Sequence, residues 1–256
     1  MGLSKIWIYG EAREGVVATT TLELLAKARS LADTVDIVVH GDASPLAADL
    51  GAHGASSVLS VGDLGEGLPG PRVASAIAGA VSTGTGPNVV LCGTTYDGRD
   101  VAGRLSAKLD APVITNVVDL VVDGDRLLGV EPVFGGTTDV TTGFTGAGTA
   151  IFLVRPKSFA AEDAGGAPAT VGAIEAGDLG NTAGAVVKNR FVEESSGPKL
   201  DEASIVVAGG RGIGDAEKYE MIETLATLLK GAPGASRAVV DSGWVPYSYQ
   251  VGQTGK

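Results

Sequence analysis

KIWIYGEAREGVVATTTLELLAKARSLADTVDIVV, residues 5–39, decides the fold. It opens with the apolar run Lys5–Tyr9, whose length and Ile, Trp and Tyr content mark a buried strand. Thr20–Leu31 then spaces Leu22, Leu25 and Ala26 as a helix does, and Val35–Val39 is a second strand. The alternation continues outward from there. Pro45–Leu50 reads as a short helix, Ser57–Ser60 as a strand, Arg72–Val81 as a helix, Asn88–Cys92 as a strand and Val101–Leu109 as a helix. Strands that are apolar along their whole length are buried on both faces. Repeated β-α units of this kind imply a parallel sheet between two helical layers, a three-layer α/β/α domain.

From Pro112 the pattern changes. PVITNVVDLVV, DGDRLLGVEPVFGG, TTDVTTGF and GTAIFLVRP follow one another with no helical stretch between them. Asp123-Gly124 is a hairpin turn signal, so antiparallel strands are expected to extend or flank the parallel sheet. Asp163–Pro168 is a loop, residues 185–192 (AVVKNRFV) read as a last strand, and EESSGPKL at 193–200 reads as a linker. The first domain is therefore placed at residues 1–195.

A new β-α unit begins after the linker. Ser204–Ala208 is a strand, GGRGIG a glycine turn, and Asp215–Leu229 a helix with Asp215 as its N-cap. Tyr219, Ile222, Leu225, Ala226 and Leu229 share one face of it, and Lys230-Gly231 suits its end. Ala235–Val240 reads as a second strand. Two strands and one helix at 199–256 are too little for an independent α/β domain, so an incomplete second domain is expected, truncated or completed by another chain.

Composition bounds the partners. The 256 residues carry a formal charge of -11, which argues against a nucleic-acid partner, since that affinity comes from clustered Lys and Arg. No apolar run reaches the ~20 residues of a membrane span. The N-terminus has neither a cleavable signal nor an Arg-rich transit segment. Cys92 is the only cysteine, so no internal disulfide forms and a reducing compartment is the simplest reading. One cysteine and two scattered histidines, His40 and His53, argue against a structural zinc site. The 39 glycines, without a collagen period, point to tight turns and close backbone approaches.

Two glycine turns stand where phosphates bind, between a strand and a helix. In AGGRGIG, Gly210, Gly212 and Gly214 give G-x-G-x-G, one residue short of the dinucleotide fingerprint, so a standard NAD site is disfavoured. Arg211 inside that turn is either a solvated side chain or a diphosphate clamp. GQTGK at 252–256 resembles the end of a P-loop, but Gln250 stands where its first glycine belongs. CGTTYDGRDVAG at 92–103 is the other turn, in which Asp97 or Asp100 caps the following helix. It leaves open a non-redox adenine-nucleotide-binding module built on the first 110 residues. No Ser/His/Asp or Cys/His constellation is present.

Residues 206–256 resemble the flavin domain of the electron transfer flavoprotein α subunit. Three blocks carry the resemblance: GGRG at 209–212, GASRAVVDSGWVP at 234–246 and QVGQTGK at 250–256, in the family's order and spacing. TTYDGRDVAGRLSAKLDAPVITNVVDL at 94–120 resembles the family's N-terminal domain more loosely. The resemblance implies a Rossmann-like FAD-binding second domain at 199–256, incomplete because the family continues past Lys256 with a strand and an S-G-A-I-Q-H motif. It implies a heterodimer with a β subunit, one FAD held mainly by this chain, and an AMP on the β subunit. Residues 1–195 then mainly supply the surface that docks the partner. Electrons would come from acyl-CoA dehydrogenases, as in fatty acid β-oxidation, and pass to a membrane quinone oxidoreductase or a related acceptor. In bacteria such a carrier is cytoplasmic.

By motif position, the resemblance assigns Arg211 to the FAD diphosphate, Ser236 to the cofactor and Arg237 to the isoalloxazine. Gln250, Val251, Gly252, Gln253 and Thr254 would wrap the flavin, with the Thr254 hydroxyl near N5. The chemistry agrees: reduction leaves negative charge on the ring, and a permanent guanidinium beside it raises the potential. No substrate bond is made or broken, so the expected role is electron carriage rather than enzymatic catalysis, with no catalytic residue.

Overall fold

The computed structural model describes residues 3–180, 185–189, 198–200 and 203–252. The chain forms two compact units, Met1–Lys188 and Asn189–Lys256.

The first unit starts with β1 (Leu3–Tyr9), a small hairpin of β2 (Ala12–Arg13) and β3 (Val16–Val17), α1 (Thr19–Ala28) and β4 (Ala32–Val39). Then come α2 (Ala47–Ala52), β5 (Ser57–Ser60), α3 (Pro69–Ser82), β6 (Val89–Gly93) and α4 (Tyr96–Leu109). The later elements are β7 (Val113–Val117), β8 (Asp119–Asp123), β9 (Arg126–Val133), β10 (Thr138–Gly143), β11 (Ala150–Val154) and β12 (Thr170–Ala173). Seven strands form one sheet in the order β12-β5-β4-β1-β6-β11-β7, every pair parallel.

Period-2 alternation feeds both faces. Ile6, Ile8, Val89, Leu91 and Phe152 point to the side covered by Leu24, Leu25 and Ala28 of α1 and Leu50 of α2. Trp7, Tyr9, Val90, Cys92 and Ile151 point to the side covered by Val73, Ala74 and Ile77 of α3 and by Val101, Ala102 and Leu105 of α4. The three-layer reading therefore holds. Among the described residues no helix is long and apolar enough to cross a membrane.

The stretch after Pro112 is corrected in part. Only β8, β9 and β10 are antiparallel, in a separate three-stranded sheet whose first turn is Gly124-Asp125, one residue later than the Asp123-Gly124 signal, because Asp123 still pairs with Arg126. Val113–Val117 and Ala150–Val154 are parallel strands of the main sheet. The crossover through α4 carries β7 two positions beyond β6, and β11 fills the slot between them after the antiparallel excursion. Asn116 makes the exit from the main sheet possible. It adopts φ +64°, a region Asn tolerates, and its Oδ1 accepts from Arg155 Nε at 2.6 Å.

The last strand of the sheet is β12, not residues 185–192. β12 pairs with the edge of β5, and Val186 makes only an isolated bridge with Gly67, while 190–192 lie outside the described residues. Thr170–Ala173 escaped notice because T-V-G-A has little apolar content.

The second unit contains β13 (Val206–Gly209), α5 (Glu220–Leu228), β14 (Ala232–Ala235) and α6 (Arg237–Asp241). Residues 235–240 are corrected from strand to strand end plus helix. The parallel register Val206↔Ala232 to Gly209↔Ala235 uses up APGA, and the chain turns into α6 at Ser236. Its two valines mislead, because Val239 is fully buried as a helical core residue beside Tyr219, Ala235 and Val245. α5 begins at Glu220 rather than Asp215, after a 3-10 turn at Glu217–Tyr219 that Asp215 caps by accepting from the Lys218 N–H at 3.0 Å. Tyr219, Ile222 and Ala226 face inward, but Leu225 and Leu229 are exposed.

Gly98 shows how tightly helices meet strand ends. A Cβ there would lie 2.1 Å from the Gly93 carbonyl oxygen. Gly98→Ala is expected to destabilise the first unit by about 1–3 kcal/mol in urea denaturation, a cost typical of forced overpacking. An unchanged midpoint would show that α4 can shift freely on β6.

Candidate functional site

In a parallel sheet, ligands gather outside the carboxyl ends of the strands, where strand order reverses. Each unit has such an edge, and the two are chemically different.

In the first unit the reversal lies between β1 and β6. The chain steps from β1 to β4 and β5 on one side, then crosses to β6 on the other. That crevice holds a carboxylate of the chain itself. Glu11 donates its N–H to Thr21 Oγ1 at 2.9 Å, and its Oε1 accepts from the Thr95 hydroxyl at 2.6 Å. Thr95, rather than Asp97 or Asp100, caps α4: its Oγ1 accepts from the Gly98 N–H at 2.9 Å. Asp100 instead pairs with Arg104 at 2.8 Å. Burial pushes the Glu11 pKa up, the Thr95 hydrogen bond opposes this, and the Asp97 carboxylate adds to it. Acids at the start of α4 disfavour phosphate, which weighs against the adenine-nucleotide reading of this unit. Cys92 lies fully buried in β6, where burial pushes its thiol up to about 12 and leaves it unreactive.

In the second unit three loops meet at one edge. β13 and β14 run parallel, and Gln250 extends the pattern with a parallel bridge to Ala235, where the Val251 N–H donates to the Ala235 carbonyl at 2.9 Å. Gly234 permits this approach, since a Cβ there would stand 3.0 Å from both Val206 Cγ1 and Val251 Cγ1. The turn after β13 begins Gly210-Arg211, the turn after β14 is Ser236-Arg237, and the third segment is Gln250-Val251-Gly252. The Ser236 N–H donates to the Gly209 carbonyl at 2.9 Å, fastening the first two turns together.

These turns hold six of the eight residues singled out in the sequence. Arg211 and Arg237 are exposed, Ser236 and Val251 half-buried, Gln250 buried, and Gly252 exposed with φ +112°. Gln253 and Thr254 lie outside the described residues. The Ser236 hydroxyl makes no capping bond to α6, and Gly210 and Gly212 leave space above the turn: a Cβ on Gly212 would meet nothing within 4 Å. Two guanidinium groups, a hydroxyl and an open glycine turn at the carboxyl edge of parallel strands suit an anionic dinucleotide.

Comparison with known proteins follows the same division. A profile described as "Electron transfer flavoprotein domain" matches residues 6–179, and one described as "Electron transfer flavoprotein FAD-binding domain" matches residues 199–256. The chain belongs to the electron transfer flavoprotein α-subunit family. It is 36% identical over 257 residues to "Electron transfer flavoprotein subunit alpha" of Mycobacterium tuberculosis (strain ATCC 25618 / H37Rv), covering 99% of this chain and 79% of the relative. The namesake from Mycobacterium leprae (strain TN) is 35% identical over 255 residues, covering 96% and 76%. "Protein FixB" of Clostridium saccharobutylicum is 30% identical over 257 residues, covering 98% and 77%. Residues 199–256 of the second unit thus match the family's FAD-binding domain, and the exposed Arg211 and Arg237 sit in its turns.

Two contributors to this edge were missed in the sequence. Tyr219 donates its buried hydroxyl to the Gly234 carbonyl at 2.6 Å, bracing the end of β14. Burial pushes this phenol up to about 12, so it stays a donor. Asp241 lies 3.3 Å from Arg237. Only the latter had a readable signal, the i,i+4 spacing in RAVVD, and the strand reading of that stretch hid it. The groove on the outer face of α5, lined by Met221, Leu225 and Leu228 among others, includes none of the candidate residues.

Glu11 yields a pH prediction. Its folded pKa is raised, so the folded state binds more protons than the unfolded one in the window above the ordinary glutamate value, and stability falls as pH rises through it. Glu11→Gln keeps an acceptor for Thr95 without the charge. It should gain stability relative to the parent as pH goes from about 4 to about 7 in paired urea titrations. A difference between the two proteins that stays flat with pH would contradict the buried-acid account.

Proposed function

We propose that this chain is the flavin-holding α subunit of a heterodimeric electron carrier. The convergence of Arg211, Ser236, Arg237 and Gln250 at the carboxyl edge of β13 and β14 carries the reading. The FAD-binding description of the matching profile supports it.

The roles follow from charge and shape. Arg211, in a turn flanked by Gly210 and Gly212, offers its guanidinium to the diphosphate, with the turn's backbone N–H groups beside it. Ser236 adds a hydroxyl that its own helix does not use. Arg237, held at the start of α6, presents a fixed positive charge to the ring and so favours its reduced, more anionic form. Gln250, Val251 and Gly252 would close over the flavin; Gln253 and Thr254, outside the described residues, would take part by motif position, with the Thr254 hydroxyl serving N5. FAD supplies the one- and two-electron chemistry; the protein binds it, orients it and sets its potential.

The family's role is electron transfer. Further, a β subunit completes the carrier and holds AMP, and residues 1–195 dock against it. Acyl-CoA dehydrogenases of fatty acid β-oxidation donate the electrons, and a quinone oxidoreductase or similar acceptor takes them. The assembly works in the cytoplasm. Its role is that of a carrier rather than an enzyme, in keeping with the electron transfer flavoprotein family to which it belongs.

The assembled heterodimer should be yellow and should release a blue-absorbing flavin on denaturation. Arg237→Ala should retain flavin but lower its midpoint potential by tens of millivolts, since one charge-assisted contact is worth about 1–3 kcal/mol and ~59 mV per electron corresponds to 1.4 kcal/mol. A colourless heterodimer contradicts the proposal, and a coloured one whose potential ignores Arg237→Ala contradicts the role given to that side chain.

A further inference from the structure

α6 carries its charges in the wrong order for a helix. Its first residue is Arg237 and its last is Asp241. A helix macrodipole favours an acid at the start and a base at the end, and an acid-before-base pair at i,i+4 is the better arrangement. Here Arg237 Nε nevertheless lies 3.3 Å from an Asp241 carboxylate oxygen, with the two side chains 66% and 63% exposed. An ion pair so exposed adds little to stability, and the dipole works against both of its members. Local stability therefore does not account for this pair. What it does is direct a guanidinium: side chains lean towards the start of their helix, so the Asp241 carboxylate reaches back to the place where Arg237 begins.

We propose that Asp241 is a positioning residue of the cofactor site, whose carboxylate shares the Arg237 guanidinium and limits how much of its charge reaches a bound flavin ring. The inference rests on the flavin reading of Arg237 given above. A guanidinium has five N–H donors in a rigid fork, so it can keep one edge on a carboxylate and offer another to a ligand. The carboxylate, a fixed anion beside that cation, offsets part of its field. Asp241 thus holds the arginine in place and sets the flavin potential below the value a lone arginine would give.

Asp241→Asn removes the charge and keeps the shape. In the assembled, flavin-loaded protein this substitution should raise the midpoint potential and tighten flavin retention several-fold. On an Arg237→Ala background the same substitution should move neither quantity. Its urea midpoint in the flavin-free protein should match the parent, which separates a role at the site from a role in the fold. The inference is overturned if Asp241→Asn leaves the potential unchanged or lowers it, if its effect persists in full without Arg237, or if the flavin-free protein is destabilised. Failure of the unsubstituted protein to hold flavin would overturn the site reading and this inference together; normal flavin binding with an unmoved potential overturns this inference alone.

Discussion

Parallel pairing of β13 with β14, continued by Gln250 alongside Ala235, is the constraint on which the second unit depends. Parallel strands all end on the same edge, so the turns that follow them emerge together. The register Gly209↔Ala235 and the bridge Ala235↔Gln250 put two strand ends and the Gln250 segment level. Residues 25 and 41 positions apart in sequence, Arg211 against Ser236 and Gly209 against Gln250, therefore share one edge. The side chains behind that edge serve the alignment: Tyr219 ties down the Gly234 carbonyl, and Val239 and Val245 seal the base.

The two units answer the same architectural question differently. Both present a crevice at the carboxyl ends of parallel strands. In the first, Glu11 already lies on the Thr95 hydroxyl, and Asp97 stands nearby. An internal acid there repels the anions that such crevices usually attract. In the second, arginines occupy the corresponding turns, and glycines leave room above them. A chain of formal charge -11 thus places exposed cations where an anionic cofactor would need them. This contrast favours a scaffolding role for the first unit and a binding role for the second.

Much of this was legible in the sequence. The apolar strands read at 5–9, 57–60 and 88–92 announced a sheet buried on both faces, and they hold the core. The glycine turns and their arginines were visible as punctuation with an unexpected charge. What escaped detection had physical causes. Two parallel strands, Val113–Val117 and Ala150–Val154, are separated by an antiparallel excursion, and no local signal says which sheet each joins. β12 is too small and polar to register. RAVVD reads as a strand because two valines adjoin, yet APGA had already completed the β-pairing and tertiary burial of Val239 decides for helix. Asp241 could not be paired with Arg237 until that helix was known.

The central claim is that the turns at 209–212, 235–237 and 250–252 together form the flavin-dinucleotide cradle. Amide hydrogen exchange on the assembled protein, compared with and without FAD, tests it most directly. The account predicts that protection on adding FAD concentrates in peptides covering those three turns, with the Glu11–Thr95 crevice of the first unit unaffected. Protection that appears at that crevice and not at the three turns would contradict it.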